Sequence, residues 1–110
     1  MRTAVCTNLI RWILEEKIQC PDIIQQIQLI ICLMAACEEV PVDLLNHAVR
    51  LYRVDAVVCA ATTPVGGWTR HALRSLGFTD LLHMVRTLDE IEERPSSPTS
   101  VAQIMLQGKH

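Results

Sequence analysis

Apolar residues recur at three- and four-residue spacing along most of this chain, which is the pattern of amphipathic helices. The first predicted helix runs from Ala4 to Ile18. Its apolar positions are Val5, Leu9, Trp12 and Ile13, with Ile10 and Leu14 on the flank. The opposite side carries Arg11, Glu15, Glu16 and Lys17. We therefore expect the side that contains Trp12 to face the core.

The second predicted helix, from Asp22 to Glu39, is apolar around nearly its whole circumference. Pro21 and Asp22 suit a helix start, because proline loses no hydrogen bond there and an acid favours the positive end of the helix dipole. A narrow polar line is all that interrupts the apolar surface, through Gln25, Gln28, Cys32, Ala35 and Glu39. This pattern predicts a central helix with neighbours on most sides.

The remaining helices are separated by clear turn residues. A third helix is predicted from Val42 to Arg53, after Pro41. A short helix with Trp68, Ala72, Leu73 and Leu76 on its apolar side follows the loop Thr62 to Gly67, and Gly77 supplies a left-handed stop. Another helix is predicted from Asp80 to about Glu93.

The stretch from Val54 to Ala61 leaves two interpretations open. Its β-branched run suits a buried strand, but Val54, Val57, Val58 and Ala61 also keep a helical phase, and the helix is favoured. The predicted fold is therefore an all-α compact single domain of five or six short helices. The alternative is a small α/β domain with a short parallel sheet that uses residues 54–61 and pairs them with Ile27 to Met34.

The domain organisation follows from length and composition. A chain of 110 residues, half of them hydrophobic, has enough apolar surface for one core but not for two. The predicted domain covers residues 1–94. Residues 95–110 form a Pro/Ser linker and a short tail, in which Val101 to Leu106 would dock on the domain or on another chain.

Charge and cysteine content narrow the possible partners and compartments. A net charge of −2 without a polybasic tail makes nucleic acid an unlikely partner. The cysteines are Cys6, Cys20, Cys32, Cys37 and Cys59, an odd number without CxxC spacing, so we expect reduced thiols and an intracellular, cytoplasmic or nuclear location. The longest uncharged stretch, Ile23 to Cys37, is shorter than the roughly 20 residues of a membrane span. We also expect no secretory signal.

Few residue patterns suggest chemistry. The loop Thr62 to Gly67 before a helix could bind an anion, but it lacks the glycine spacing and the Lys-Ser/Thr of a P-loop. Cys59 with His71 or His83 could form a nucleophile and base, although a cysteine in an apolar run is usually an inert core residue. We expect no cofactor, no metal and no catalytic activity.

An excess of arginine distinguishes the second half of the chain. Arg70 and Arg74 lie four apart on one predicted helix, and Arg86 lies on the polar side of the next. A solvated face is the ordinary explanation. The sharper hypothesis is that Arg70, Arg74 and Arg86 bind an acidic surface on a partner or on a second copy of the chain.

The segment Leu73-Arg74-Ser75-Leu76-Gly77-Phe78, followed by the helix from Asp80, resembles the last two helices of several small interaction modules, sterile alpha motif domains among them. The resemblance is confined to this segment, and the earlier aromatic positions of that family are missing, so it assigns no family. The function we expect is a protein-interaction module that is an adaptor, an inhibitor or a self-associating protein. A ligand-binding or enzymatic α/β domain is the first alternative, and a nucleic-acid binder is the second.

Overall fold

The computed structural model describes residues 2–15, 20, 22–79 and 104–107, which contain five helices, one further helical turn and no strand. The helices are α1 (Arg2–Leu14), α2 (Ile23–Ala36), α3 (Val42–Leu51), α4 (Val54–Thr62) and α5 (Gly67–Ser75). The helical turn covers residues 104–107. The all-α prediction is confirmed. The predicted helix from Asp80 and the linker from Arg94 lie outside the described residues.

Helix α4 decides between the two predicted folds. Residues 54–61 are helical, which excludes the short sheet of the α/β alternative. The chain breaks between α3 and α4, because Tyr52 and Arg53 both have extended backbone. Val57 and Ala60 then face the core, whereas Val54 and Val58 are partly exposed.

Helix α2 is the centre of the domain, as the sequence predicts. Asp22 caps its start, since its Oδ1 accepts a hydrogen bond from the Ile24 N–H at 2.9 Å. Every residue from Ile27 to Ala35 is buried. Helices α1, α4 and α5 pack on α2, and α3 packs on α1. The predicted polar line is therefore no solvent face, because Gln28 and Cys32 are both fully buried.

The buried carboxamide of Gln28 joins α2 to the chain between α4 and α5. Its Nε2 lies 3.2, 3.1 and 3.3 Å from the carbonyl oxygens of Ala60, Thr63 and Pro64. Its Oε1 accepts from the Gly66 N–H at 3.3 Å. Both ends of the carboxamide are thus used, which is what a buried polar side chain requires.

Because of Pro64, the last turn of α4 needs a hydrogen-bond donor from elsewhere in the protein. In an α-helix the carbonyl of Ala60 would accept from the N–H four residues later, but that residue is Pro64, which has no N–H. Gln28 Nε2 supplies the missing donor from α2. The cost of ending α4 inside the domain is therefore offset by one side chain of the central helix.

The buried face of α1 differs from the predicted one. The residues of α1 that reach the core are Cys6, Ile10, Ile13 and Leu14. Val5 and Trp12, which we expected in the core, are 50% and 51% exposed. Two apolar lines run along this helix. Ile13 of the predicted line is buried and Leu9 packs against the core, but the buried side is centred on Cys6 and Ile10, so Val5 and Trp12 stay outside.

The end of α5 confirms the predicted glycine stop. Gly77 has φ 85°, a left-handed conformation that favours glycine. The N–H of Phe78 donates to Leu73 O at 2.8 Å, and that of Gly77 donates to Arg74 O at 3.2 Å, which is the Schellman pattern. Leu73 and Phe78 are both buried. Met105, in the last described turn, is also part of the core.

Replacing Gln28 by Met should destabilise the domain, because methionine keeps the volume but leaves the Gly66 N–H and the Ala60 carbonyl without their partner. We expect a loss of roughly 2–4 kcal/mol in the free energy of unfolding, measured by urea denaturation. Gln26→Met is the matched control on the same helix. Gln26 is only part-buried and makes one bond, from Nε2 to the Tyr52 hydroxyl oxygen, so it should lose about 1 kcal/mol. If both variants lose the same free energy of unfolding, the hydrogen bonds of Gln28 stabilise the domain no more than the single bond of Gln26 does.

Candidate functional site

The loop before α5 and the first turn of that helix are held by a second glutamine of α2. Gln25 Oε1 accepts from the Trp68 N–H at 2.8 Å and from the Thr69 N–H at 3.2 Å. The Thr69 hydroxyl donates to Gln25 O at 3.0 Å, and Thr69 is fully buried. Gln25 therefore caps α5 from another helix, in the place that a serine or aspartate N-cap usually takes.

These contacts change the interpretation of the Thr62 to Gly67 loop. An anion at a helix start binds the free backbone N–H groups of the first turn. Here the N–H of Gly66 already donates to Gln28, and those of Trp68 and Thr69 donate to Gln25. Three of the N–H groups around the start of α5 are thus engaged within the protein, and the geometry does not favour a ligand site in this loop.

The predicted arginine site is placed only in part. Arg70 and Arg74 lie one turn apart on α5, and Arg74 is exposed. Arg70 Nε donates to the carbonyl of Val65 at 3.1 Å, so this side chain also holds the loop that precedes its helix. His71, between them, is exposed. Arg86 lies outside the described residues.

None of the five cysteines forms a disulfide. Cys6, Cys32 and Cys37 are buried, and burial raises the pKa of Cys32 to about 12. Burial also raises the pKa of Cys37, although hydrogen bonds with Thr7 and Cys6 oppose this effect. A thiol with a raised pKa is a weak nucleophile at neutral pH, because the thiolate is the reactive form. These three side chains serve packing.

Cys59 differs from the buried thiols because it is exposed. Its Sγ lies 3.5 Å from the Thr63 hydroxyl. No hydrogen bond joins Cys59 to His71 among the described contacts, and His83 lies outside the described residues. Within the part of the chain that the structure describes, no cluster of three or more metal-ligating side chains occurs.

The largest exposed apolar side chain among the described residues belongs to α1. Trp12 and Val5 lie seven residues apart, two helical turns, so they share one side of the helix. Ala4 and Asn8 are also exposed on that side. We call Ala4, Val5, Asn8 and Trp12 the outer face of α1. It points away from the buried Cys6 and Ile10.

This face can bind another apolar surface, and the sequence analysis missed it. A little over two turns of helix present tryptophan, valine and alanine to solvent, with one neutral polar side chain, Asn8, among them. The sequence did carry a clue, since α1 has more apolar positions than one buried side can hold. Both apolar lines have helical spacing, so the pattern alone could not choose between them.

Gly66 and Gly67 offer a matched test of the Gln25 cap. Gly66 has φ −74° and ψ 165°, which any residue can adopt, but an added Cβ would overlap the Gln25 carboxamide. Gly66→Ala should therefore displace the cap and lower the free energy of unfolding by about 1–2 kcal/mol. A Cβ on Gly67 meets nothing within 4 Å, so Gly67→Ala should be neutral or stabilise by up to about 1 kcal/mol. Equal stability of the two variants in thermal unfolding would contradict the cap.

Comparison with known proteins identifies no relative, because no family model, no curated protein and no solved structure matches this chain. Within the described residues, no helix combines the length and the hydropathy that crossing a bilayer requires. Function is therefore inferred from the chemistry of the surfaces described above.

Proposed function

We propose that this chain is a small protein-interaction module, an adaptor, inhibitor or self-associating protein, and that the outer face of α1 is its principal binding surface. The observation that carries the proposal is the half-exposed Trp12, in line with the half-exposed Val5. Tryptophan is enriched among the residues that dominate binding energy at protein interfaces. Exposing it to water is unfavourable unless a partner covers it.

The shape of this surface favours a macromolecular partner. Small molecules bind in concave sites that enclose most of their area. The outer face of α1 is one side of a helix, with Val5 and Trp12 about 10 Å apart along the axis at 1.5 Å per residue. A helix face of this kind fits against another helix or into a groove of a partner.

The arginines of α5 form a second surface within the same proposal. Helix α5 contains Arg70, His71 and Arg74 and no acidic residue. Among the described residues, no ion pair involves Arg74. Arg70, Arg74 and Arg86 would then bind an acidic patch, and this contribution would act mainly on the association rate.

The thiols support a reducing compartment, the cytoplasm or the nucleus. None of the five cysteines forms a disulfide, and one of them, Cys59, is exposed. An exposed free thiol is readily oxidised outside such compartments. The proposal therefore includes an intracellular partner.

The proposal is tested by capture on immobilised chain from a lysate of cells that express it, with the bound proteins quantified by mass spectrometry. Trp12→Ala should weaken capture at least about tenfold, the loss expected for a residue central to an interface. Val42→Ala is the control, because Val42 is a more exposed apolar residue, at 71%, on another helix. If both variants retain the same proteins equally, the outer face of α1 is not a binding surface.

The same assay tests the arginines. The triple change of Arg70, Arg74 and Arg86 to Glu should reduce capture, most strongly at low salt. Because Arg70 also bonds to Val65 O, Arg74→Glu alone is the cleaner variant. Arg50→Glu on the exposed side of α3 is its matched control. Equal capture by these two single variants would remove α5 from the binding surface.

A further inference from the structure

We propose that the outer face of α1 binds the same face of a second copy, with the two helices antiparallel and the two-fold axis beside Asn8. This inference rests on the proposed function and names the partner of its principal surface. A two-fold interface must be complementary to itself. The outer face of α1 must therefore fit its own copy in side-chain size, polarity and charge.

The distribution of side-chain size on the face is self-complementary. Asn8 lies four residues after Ala4 and four before Trp12. An antiparallel pair with its axis beside Asn8 places the indole of Trp12 over Ala4 and Val5 of the other copy. Large side chains then meet small ones at both ends, which permits the close packing of a protein interior. A parallel pair would set Trp12 against Trp12 and alanine against alanine, leaving a gap at one end.

The polar and charged groups also fit this arrangement. None of the four residues of the outer face is charged, and Asn8 carries a carboxamide, which can both donate to and accept from its own copy across the axis. The exposed Glu15 follows on the same side, beyond Trp12 at the C-terminal end of α1. The nearest cation, Arg11, pairs with Asp43 of α3 at 3.5 Å and is thereby directed to the side of the face. A charge at the position of Asn8 would instead repel its own copy.

The helix dipoles favour the antiparallel orientation. The first turn of α1 contains no acidic residue, so nothing in that turn offsets its positive end. In an antiparallel pair this end lies beside the negative end of the partner's α1, where Glu15 follows the last helical residue. The antiparallel orientation therefore places the positive end of each α1 helix beside the negative end of the other.

The size of the contact sets the expected affinity. Helix α1 has 13 residues and is about 20 Å long. A single helix pair of that length buries less than the roughly 800 Å² per partner of a standard interface. The dimer should therefore be weak, with a dissociation constant in the micromolar range or above.

Sedimentation of the full chain from about 5 µM to about 1 mM tests the pairing. Val5→Glu and Trp12→Lys should each raise the dissociation constant at least about tenfold. Mixing the two variants should restore dimers, because the antiparallel register sets Glu at position 5 against Lys at position 12 of the partner. The double variant Val5→Glu/Trp12→Lys should dimerise more strongly at low salt than either single variant, because its two opposite charges meet at both ends of the pair. If the helices paired in parallel, this double variant would place Glu against Glu and Lys against Lys, and the dimer would dissociate.

Val42→Glu is the control, since it adds the same charge to an exposed valine on α3 and should leave the dissociation constant unchanged. Far-UV circular dichroism should show that each variant remains helical, because Val5, Trp12 and Val42 are at least half-exposed. A monomer up to about 1 mM, or single variants that sediment like the unchanged chain, would overturn the inference.

If the chain is monomeric while Trp12→Ala still loses captured proteins, the partner is another protein. The self-pairing then fails and the proposed function stands.

Discussion

The buried carboxamide of Gln28 is the interaction on which the arrangement of this domain depends. Helix α4 ends at Thr62, because Pro64 has no N–H to donate to Ala60, and the turn that follows leaves two more carbonyls inside the protein. One NH₂ group on the central helix lies within hydrogen-bond distance of all three carbonyl oxygens, and its oxygen accepts from Gly66. A buried polar group is costly when unpaired, so this position holds α4, the loop and α5 in one geometry against α2.

Hydrogen bonds within the protein also determine which surfaces remain available for binding. Gln25 and Gln28 engage the N–H groups at the start of α5, and Arg70 bonds to the carbonyl of Val65. A loop that could have bound an anion is thus used to assemble the fold. Helix α2 is enclosed along Ile27 to Ala35, and α1 has more apolar residues than this contact can bury. The apolar residues that remain exposed are part of the outer face of α1, which we propose as the binding surface.

How much the sequence could predict depends on whether a feature is local. The stop at Gly77, the start of a helix near Asp22 and the helical phase of α4 depend on short stretches of chain, and they were predicted. Asp22 is the N-cap of α2 rather than a residue of its first turn. The burial of Gln28 could not be predicted, because a glutamine on a polar line normally faces water. The carbonyl oxygens that Gln28 binds come next to it only when α4 and the following loop pack against α2. Trp12 was misplaced for a related reason, since two apolar lines of equal spacing compete and α2 selects one. The partner-binding role of Arg74 stays a prediction.

Amide hydrogen exchange at the start of α5 tests the glutamine cap most directly. The first turn of a helix normally exchanges fast, because its N–H groups have no partner within the helix. Helix α3 provides the internal reference, since its start at Pro41 has no side-chain cap. The account predicts that the Trp68 and Thr69 amides exchange at least about a hundredfold more slowly than those of Val42 and Asp43. Equal rates in the two first turns would contradict it.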